Sequence, residues 1–461
     1  MNTDTKPVIV IGAGLCGTLL AVRLAQRGYP VELYERRPDM RWVDISAGRS
    51  INLALSDRGL KALRIAGMEE EVAKDLIPMH GRLIHPLKGE GHLQPYSGRD
   101  GEYINSVSRG GLNKALLEKA DTYKHLITRF NVRCLNVDLK EATATFFDEN
   151  TGEEFTRHGQ VVIGTDGAGS AVRKSIQNSG PRYRFNFSQD WLAHGYKELE
   201  IPAGPNGEYL LPEHEALHIW PRGGYMLIGL PNPDHSFTMT LFMPFVADPG
   251  FDDLDTPEAA RAFFESNFPD ALALMPDFEQ QFFDNPTSPL GTVKCFPWQV
   301  NGKVLLMGDA AHAIVPFYGQ GMNCAFEDVT VFDACMDAWK DENWETLFKD
   351  FEQKRKANAD AIAELAKENY LEMRDKVADP IFARKRAIET RLEAQFPDYF
   401  SKYSLVTFKE DIPYAIARKQ GNTQDSILMD IASRSEDVSS FDLKTVKDEV
   451  VKRTAEAMAN S

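Results

Sequence analysis

Long apolar runs are missing from this sequence: nothing in its 461 residues approaches the ~20 consecutive apolar residues of a membrane-spanning helix. Lys6-Pro7 leads straight into a β-branched run, without the charged-then-apolar pattern of a secretory leader. A cytoplasmic protein that does not bind membrane is therefore expected. Cysteine is scarce, with five residues and no CxxC pair, which argues against a disulfide framework or a cysteine-based zinc site; no metal is expected. Basic charge is also in deficit. The 52 Lys plus Arg against 68 Asp plus Glu give a net charge of −16, which disfavours nucleic acid and anionic membrane as partners. Small molecules are the expected partners, and at roughly 150 residues per domain the chain holds two or three domains.

What is present begins at the N-terminus. Val8-Ile9-Val10-Ile11 reads as a short buried strand, Gly12-Ala13-Gly14-Leu15-Cys16-Gly17 as a glycine turn, and Leu19-Leu20-Ala21-Leu24-Ala25 as an apolar-periodic helix. A second strand, Val31-Glu32-Leu33-Tyr34, ends in Glu35, about 20 residues after the turn. This is a dinucleotide fingerprint in full βαβ context. Gly12, Gly14 and Gly17 permit a tight turn and a close approach of pyrophosphate to a helix N-terminus, and Glu35 is placed to accept from ribose hydroxyls. Which dinucleotide binds is open on this motif alone: Arg36 and Arg37 suit either a 2′-phosphate or an adenine with its phosphates. The bland alternative is a glycine-tight turn without a ligand.

Two further strand ends carry polar residues. Val161-Val162-Ile163-Gly164 delivers Thr165-Asp166-Gly167, and Val304-Leu305-Leu306-Met307 delivers Gly308-Asp309. Strand ends are where doubly wound sheets bind ligands, although Asp166 is equally suited to an Asx-turn capping the next helix. After Asp309 come Pro316-Phe317-Tyr318-Gly319-Gln320-Gly321-Met322-Asn323, whose glycines let backbone approach something flat. Between these motifs, Gly48 to Ser56 reads as extended, and Gly81-Arg82-Leu83-Ile84-His85 alternates like a strand. Leu93-Gln94-Pro95-Tyr96 starts another strand. Arg82 suits a bidentate carboxylate contact and Tyr96 supplies a hydroxyl; an exposed ion pair is the commoner role for an Arg. Ser108-Arg109 opens an amphipathic helix.

From about 182 to 289 the texture becomes hairpins, which predict an antiparallel sheet. Phe237, Met239, Leu241 and Met243 make one face of its last strand, leaving Phe242 with Thr238 and Thr240. Helices are expected over 257–268, 276–283, 327–339 and 344–377, and Ile362, Leu365, Ala366, Asn369, Tyr370 and Met373 share a face of the last. Asn369 on that apolar stripe needs hydrogen-bond partners, so it is a core joint or a ligand contact. The last eighty residues read as helices interrupted by Tyr403-Ser404-Leu405-Val406-Thr407-Phe408. The predicted architecture is α/β: a Rossmann-type dinucleotide-binding domain, an antiparallel-sheet second domain and a C-terminal helical domain. The expected boundaries are 1–70, 97–180 and 290–375 for the first, 71–96 and 181–289 for the second, and 376–461 for a helical cap.

The glycine fingerprint, Asp166-Gly167 and Gly308-Asp309 together resemble the single-component FAD-dependent aromatic hydroxylases of the para-hydroxybenzoate hydroxylase type, over almost the whole chain. The runs 48–56, 217–221, 236–244, 308–323, 368–373 and 403–408 are similar to those of the kynurenine-hydroxylating branch of that family. The resemblance implies bound FAD, NADPH as a transient co-substrate, O2, and hydroxylation of L-kynurenine at the ring 3-position through a flavin hydroperoxide. It implies that Gly12, Gly14, Cys16, Gly17, Glu35, Arg36, Ala54, Arg109, Asp166, Gly308, Asp309, Gly321, Met322 and Asn323 serve the cofactor. Arg82, Tyr96, Asn369, Glu372 and Tyr403 would hold the amino-acid end of the substrate, and Leu217, Met226, Ile228 and Phe242 its ring. Pro316, Phe317, Tyr318 and Gln320 would form the catalytic loop between flavin and ring. The rival readings are a hydroxylase of another aromatic amino acid or acid, a halogenase or oxidase of related fold, and a flavin-binding regulator without chemistry. A halogenase is disfavoured because no Trp-x-Trp-x-Ile-Pro segment is present.

Overall fold

The computed structural model describes residues 6–42, 52–372 and 379–459. Residues 48–51 of the extended run, and Met373 with the end of the helix expected over 344–377, lie outside these. The chain folds into two compact units, one of Met1–Asp75, Val107–Leu192 and Gly291–Ala363, the other of Leu76–Ser106, Ala193–Leu290 and Glu364–Ser461.

The first unit is built on a six-stranded sheet in the order Gln299–Val300, Val304–Leu306, Val162–Gly164, Val8–Ile11, Val31–Tyr34, Leu126–Arg129. All neighbours are parallel except the two-residue edge strand. Strands buried on both faces read as continuous apolar runs, and Val8–Ile11, Val162–Gly164 and Val304–Leu306 are buried at every position. These three are adjacent and parallel, so their C-terminal ends come out side by side. Hydrogen bonds continue the ladder into the loops, from Gly12 N–H to Tyr34 O at 2.7 Å, Thr165 N–H to Ile11 O at 2.8 Å and Met307 N–H to Gly164 O at 2.9 Å. Three motifs dispersed over three hundred residues thus share one sheet edge. The expected Rossmann-type architecture is borne out.

In the second unit, residues 194–201 of strand Asn186–Ile201 pair with Phe237–Pro244, followed in order by Met226–Pro231, Ala216–Pro221, Gly81–Ile84 and His92–Pro95. The pairs are antiparallel except Ala216–Pro221 with Gly81–Ile84, which is parallel; a strand inserted from an earlier part of the chain need not reverse direction. The pleat sends alternate residues to opposite faces. Phe237, Met239, Leu241 and Met243 enter the main apolar core with Trp220, Leu227, Phe264, Phe268 and Phe278, as their alternation predicts. A smaller core joins Ile388, Leu392, Leu428, Ile431 and Val446 of the C-terminal helices Pro380–Gln395, Tyr414–Ala432 and Leu443–Ala459, with Tyr399 from the segment after the first.

Two local expectations need correction. The segment 403–408 does not interrupt the helical region: Lys402–Thr407 is itself a short helix, capped by Ser401, whose Oγ accepts from Ser404 N–H. Its β-branched and aromatic content misled the periodicity, and tertiary packing overrode propensity. The helix expected from Glu327 begins at Gly321 and runs to Ala338, so Gly321, Met322 and Asn323 form its first turn. Gly319, at φ +68, ends the preceding turn Pro316–Tyr318 in the left-handed region, which lets the helix start two residues later.

Candidate active site

At the edge of the parallel sheet each glycine of the fingerprint has a distinct surrounding. A Cβ on Gly12, whose φ is +103, would lie 2.6 Å from Thr165 O, and one on Gly17 only 1.9 Å from Gly12 O. A Cβ on Gly14 would meet nothing within 4 Å. Gly12 and Gly17 are therefore required by the protein's own packing, while Gly14 leaves open space at the N-terminus of helix Leu15–Gln26. A pyrophosphate fits there, where unpaired amides and the helix dipole favour negative charge. Glu35 is buried at the end of the second strand; one carboxylate oxygen accepts from Ala13 N–H at 2.9 Å, and the other from Arg37 N–H and Nε at 3.0 and 2.8 Å. The Glu35 carboxylate and the glycine turn are thus held as one piece, and Asn113 adds a bond from its Nδ2 to Ala13 O at 3.0 Å. Arg36 and Arg109 are exposed.

The second and third motifs are tied to the first. Thr165 Oγ1 lies 2.9 Å from both Ile11 O and Gly12 O. Asp166 caps helix Ala171–Asn178, accepting from Ser170 Oγ at 2.5 Å and Ala171 N–H at 2.7 Å. Burial pushes its carboxyl above the ordinary range against these donors. Arg173, buried, donates to Ala168 O and, at 2.7 Å, to Ala310 O, which locks the second motif to the third. Cys16 lies buried under Gly308, whose added Cβ would stand 3.1 Å from its Sγ, and burial raises its thiol well above the ordinary value. Asp309 emerges exposed at the strand end.

Behind the third motif lies a buried ion network that the sequence did not reveal. Asp328, fully buried, accepts from Gly308 N–H at 2.9 Å, His312 Nε2 at 2.6 Å and Arg355 Nε at 2.7 Å. Burial works against its charge, but His312 and Arg355 prevail and hold its carboxyl at about 2. Arg355 also donates to Glu327, whose other oxygen binds Arg58 at 2.6 Å. Among the described residues His312, Cys324 and Asp328 are the one group of metal-competent side chains close enough to share an ion. Arg355 Nη2 stands 3.3 Å from Cys324 Sγ and its Nε on Asp328, so a guanidinium already occupies the cationic role.

Asn323 ties the loop down with its side chain: Oδ1 accepts from Ser56 N–H at 2.9 Å, and Nδ2 donates to Ala54 O at 2.8 Å and Gly319 O at 2.9 Å. What Gly321, Met322 and Asn323 offer a ligand is their backbone amides, the first turn of an 18-residue helix. Phe317, Tyr318 and Gln320 are buried and Pro316 half-buried in the preceding turn.

The second unit gathers the other residues. Met226 faces Phe242, and Ile228 faces both Thr240 and Ile219. Leu217, two residues from Ile219, is in register with Arg82. Facing partners project to the same side, so Arg82, Leu217, Met226, Ile228 and Phe242 share the sheet face opposite the core. Above Arg82, the rings of Tyr96 and Tyr403 stack at 5.2 Å and 10°. The guanidinium carbon lies 5.4 Å from the first ring centroid and 5.2 Å from the second. Arg82 Nε and Tyr96 Oη are buried without a partner in hydrogen-bonding geometry. Burial pushes both phenols upward, and Arg82 opposes it. Asn369, near the end of helix Trp344–Leu371, is half-buried, and Glu372 lies 3.6 Å from Lys402 Nζ.

Unit one, with three strand-end loops around an open glycine and two helix N-termini, defines a dinucleotide-binding flavoprotein. A family model described as an FAD binding domain matches residues 5–366, and the chain belongs to this family of FAD-dependent monooxygenases. Among its relatives it is similar to the kynurenine 3-monooxygenase of Myxococcus xanthus (strain DK1622), 49% identical over 94% of this chain and 92% of that protein. The kynurenine 3-monooxygenase of Dictyostelium discoideum is 43% identical over 97% of this chain and 98% of its own length. Solved structures share the fold. The tetrameric form of 2-methyl-3-hydroxypyridine-5-carboxylic acid oxygenase superposes with a TM-score of 0.66 at 21% identity, over 82% of this chain and 95% of that one. Among the described residues no helix is long and apolar enough to cross a membrane.

Proposed function

We propose that the protein hydroxylates L-kynurenine at the ring 3-position, using FAD, O2 and NADPH. The observation that carries the reading is Arg82, a half-buried cation with an unpartnered Nε beside a stacked pair of tyrosines, on the sheet face that also presents Leu217, Met226, Ile228 and Phe242. That face has the chemistry of an aromatic α-amino acid: a guanidinium for the carboxylate, apolar side chains for the ring. Asn369 and Glu372 provide acceptors for the ammonium group. The high identity to proteins named for this reaction supports the same assignment.

FAD, when bound, supplies electrophilic oxygen derived from O2. The protein's own tasks are binding, orientation and exclusion of water. The fingerprint and the loops after Gly164 and Met307 hold the dinucleotide, with Gly12, Gly14, Gly17, Glu35, Asp166, Gly308 and Asp309 in those loops and Cys16 beneath them. The first-turn amides of Gly321, Met322 and Asn323 would supply donors for negative charge on the cofactor. Pro316, Phe317, Tyr318 and Gln320 shape the loop that packs against it, while Ala54, Arg36 and Arg109 border the cofactor. The aniline nitrogen of kynurenine activates its own ring, so no strong protein base is needed. NADPH docks transiently, since the chain has a single glycine fingerprint. On this reading residues 376–461 act as a cap for the substrate sheet, the Tyr403 ring being their contribution to the carboxylate pocket. The protein works in the cytoplasm, free of membrane.

The test is aerobic NADPH consumption with and without L-kynurenine, followed by mass analysis. A product one oxygen heavier is expected. Consumption indifferent to kynurenine but stimulated by another aromatic acid would transfer the assignment to that substrate.

A further inference from the structure

The two tyrosines stacked beside Arg82 come from distant parts of the second unit: Tyr96 follows strand His92–Pro95, and Tyr403 sits in helix Lys402–Thr407. A pocket that depends on their spacing needs something that fixes one against the other. The residue touching both supports is Glu393, on helix Pro380–Gln395, buried at 5% exposure. Its Oε1 accepts from Ser401 N–H at 2.8 Å and from Ser404 Oγ at 2.6 Å. Those two residues begin the helix of Tyr403, Ser401 being its cap. The same oxygen lies 3.6 Å from Arg99 Nη1, three residues beyond Tyr96. Arg99 also donates to Tyr399 O, and its guanidinium lies 4.0 Å from the Phe400 ring. Beside it, a Cβ on Gly98 would stand 2.8 Å from Ala394 N. The loop after Tyr96 is thus pressed onto the backbone of the helix that carries Glu393.

We propose that Glu393 is a positioning residue for the substrate carboxylate: it clamps the loop of Tyr96 and the helix of Tyr403 to one helix, and so sets the slot in which Arg82 is held. The inference deepens the reading given above and rests on it. Glu393 touches neither the substrate nor Arg82. Its influence passes through Arg99 on one side and Ser401 and Ser404 on the other. A clamp of this kind predicts selectivity. Loosening the stack disturbs the guanidinium's approach to an anion and leaves the apolar floor of Leu217, Met226, Ile228 and Phe242 in place, because these residues sit on sheet strands that Glu393 does not touch.

The experiment uses the full-length, FAD-loaded protein with Glu393→Ala, Glu393→Gln and Arg99→Lys. The probes are L-kynurenine and its decarboxylated analogue, with dissociation constants read from the flavin absorbance change and KM and kcat from NADPH oxidation. For Glu393→Ala the expected result is a rise of about tenfold in Kd and KM for L-kynurenine, the size of one lost charge-assisted hydrogen bond. The kcat at saturation should stay within about twofold, with FAD content and affinity for the decarboxylated analogue unchanged. Glu393→Gln keeps an acceptor for Ser401 and Ser404 and should lose less. An equal loss for both probes, or a lowered melting temperature with unchanged KM, would overturn the proposal in favour of a purely structural carboxylate. Should Glu393→Ala fail to fold, the ratio of the two probes in Glu393→Gln and Arg99→Lys decides in the same way. A wild-type protein that binds neither L-kynurenine nor any other aromatic carboxylate, such as anthranilate or benzoate, sinks the functional reading and this inference together. Wild-type binding with insensitive variants sinks the inference alone.

Discussion

The two proposed ligand-binding regions are built on opposite physical plans. At the parallel-sheet edge the buried carboxylates are consumed internally: Glu35 by the glycine turn, Asp166 by a helix it caps, Asp328 by Gly308, His312 and Arg355. The ligand is left backbone amides, the exposed side chains of Arg36, Arg109 and Asp309, and the open space at Gly14. On the substrate face two buried polar atoms, Arg82 Nε and Tyr96 Oη, have no partner in hydrogen-bonding geometry. An unmade buried hydrogen bond costs ~1–3 kcal/mol, so the second region stores a cost that a matching ligand relieves. One region is preorganised by satisfaction and selects by shape; the other selects by chemistry.

The sharpest way to break this contrast is to remove one charge from each region. Asp328→Ala strands two buried cationic partners and should lower unfolding stability by ~3–5 kcal/mol, read by denaturant melts. The loss should carry a pH signature in the wild type. Asp328 titrates at about 2 in the folded protein, below the ordinary aspartate value near ~3.9. Its contribution is therefore complete above that value and disappears as pH falls through about 2. Arg82→Met should do the reverse, raising KM for L-kynurenine by about thirtyfold or more, ~2–5 kcal/mol, with FAD content unchanged and stability unchanged or improved. If Arg82→Met melts the protein and Asp328→Ala does not, the contrast is wrong.

The glycines provide a finer cut within the first region. Gly17→Ala places a methyl 1.9 Å from Gly12 O and should destabilise the apoprotein by ~1–3 kcal/mol, as overpacking does. Gly14→Ala meets nothing within 4 Å; it should leave apoprotein melting unaltered while weakening FAD binding by about tenfold, measured by fluorescence titration. The smallest effect concerns Lys197, whose Nζ caps helix Phe278–Asp284 through Phe282 O at 2.7 Å and Asn285 O at 2.8 Å. Burial lowers it from the ordinary lysine value of 10.5 to about 8. Between those values the unfolded chain binds more protons than the folded one, so this group makes stability rise with pH from about 8 to 10.5. In Lys197→Met that rise should be absent from a pH series of melts.

How far each region could be read in advance follows from the same contrast. The cofactor edge is coded in short contiguous motifs, and the fold delivers them to adjacent parallel strand ends. The alternation of Phe237 to Met243 likewise revealed both faces of the substrate sheet before its neighbours were known. Where local pattern misled, at Lys402–Thr407 and at the start of Gly321–Ala338, packing and a left-handed Gly319 decided the outcome. The ion network around Asp328 and the clamp at Glu393 had no linear signature, because their members lie up to some three hundred residues apart.

By itself, the order of residues determined the βαβ nucleotide fold and the three strand-end motifs, since each depends on neighbours along the chain and on side-chain periodicity, and the character of a flavin enzyme followed from the resemblance of those motifs to a known family. Tertiary structure alone decided which charges neutralise one another and which remain available, why Gly17 is a packing requirement and Gly14 an opening, and that Tyr96 and Tyr403 close on Arg82. Those outcomes depend on distances between segments that only folding brings together, where a few ångströms separate a satisfied carboxylate from a binding site.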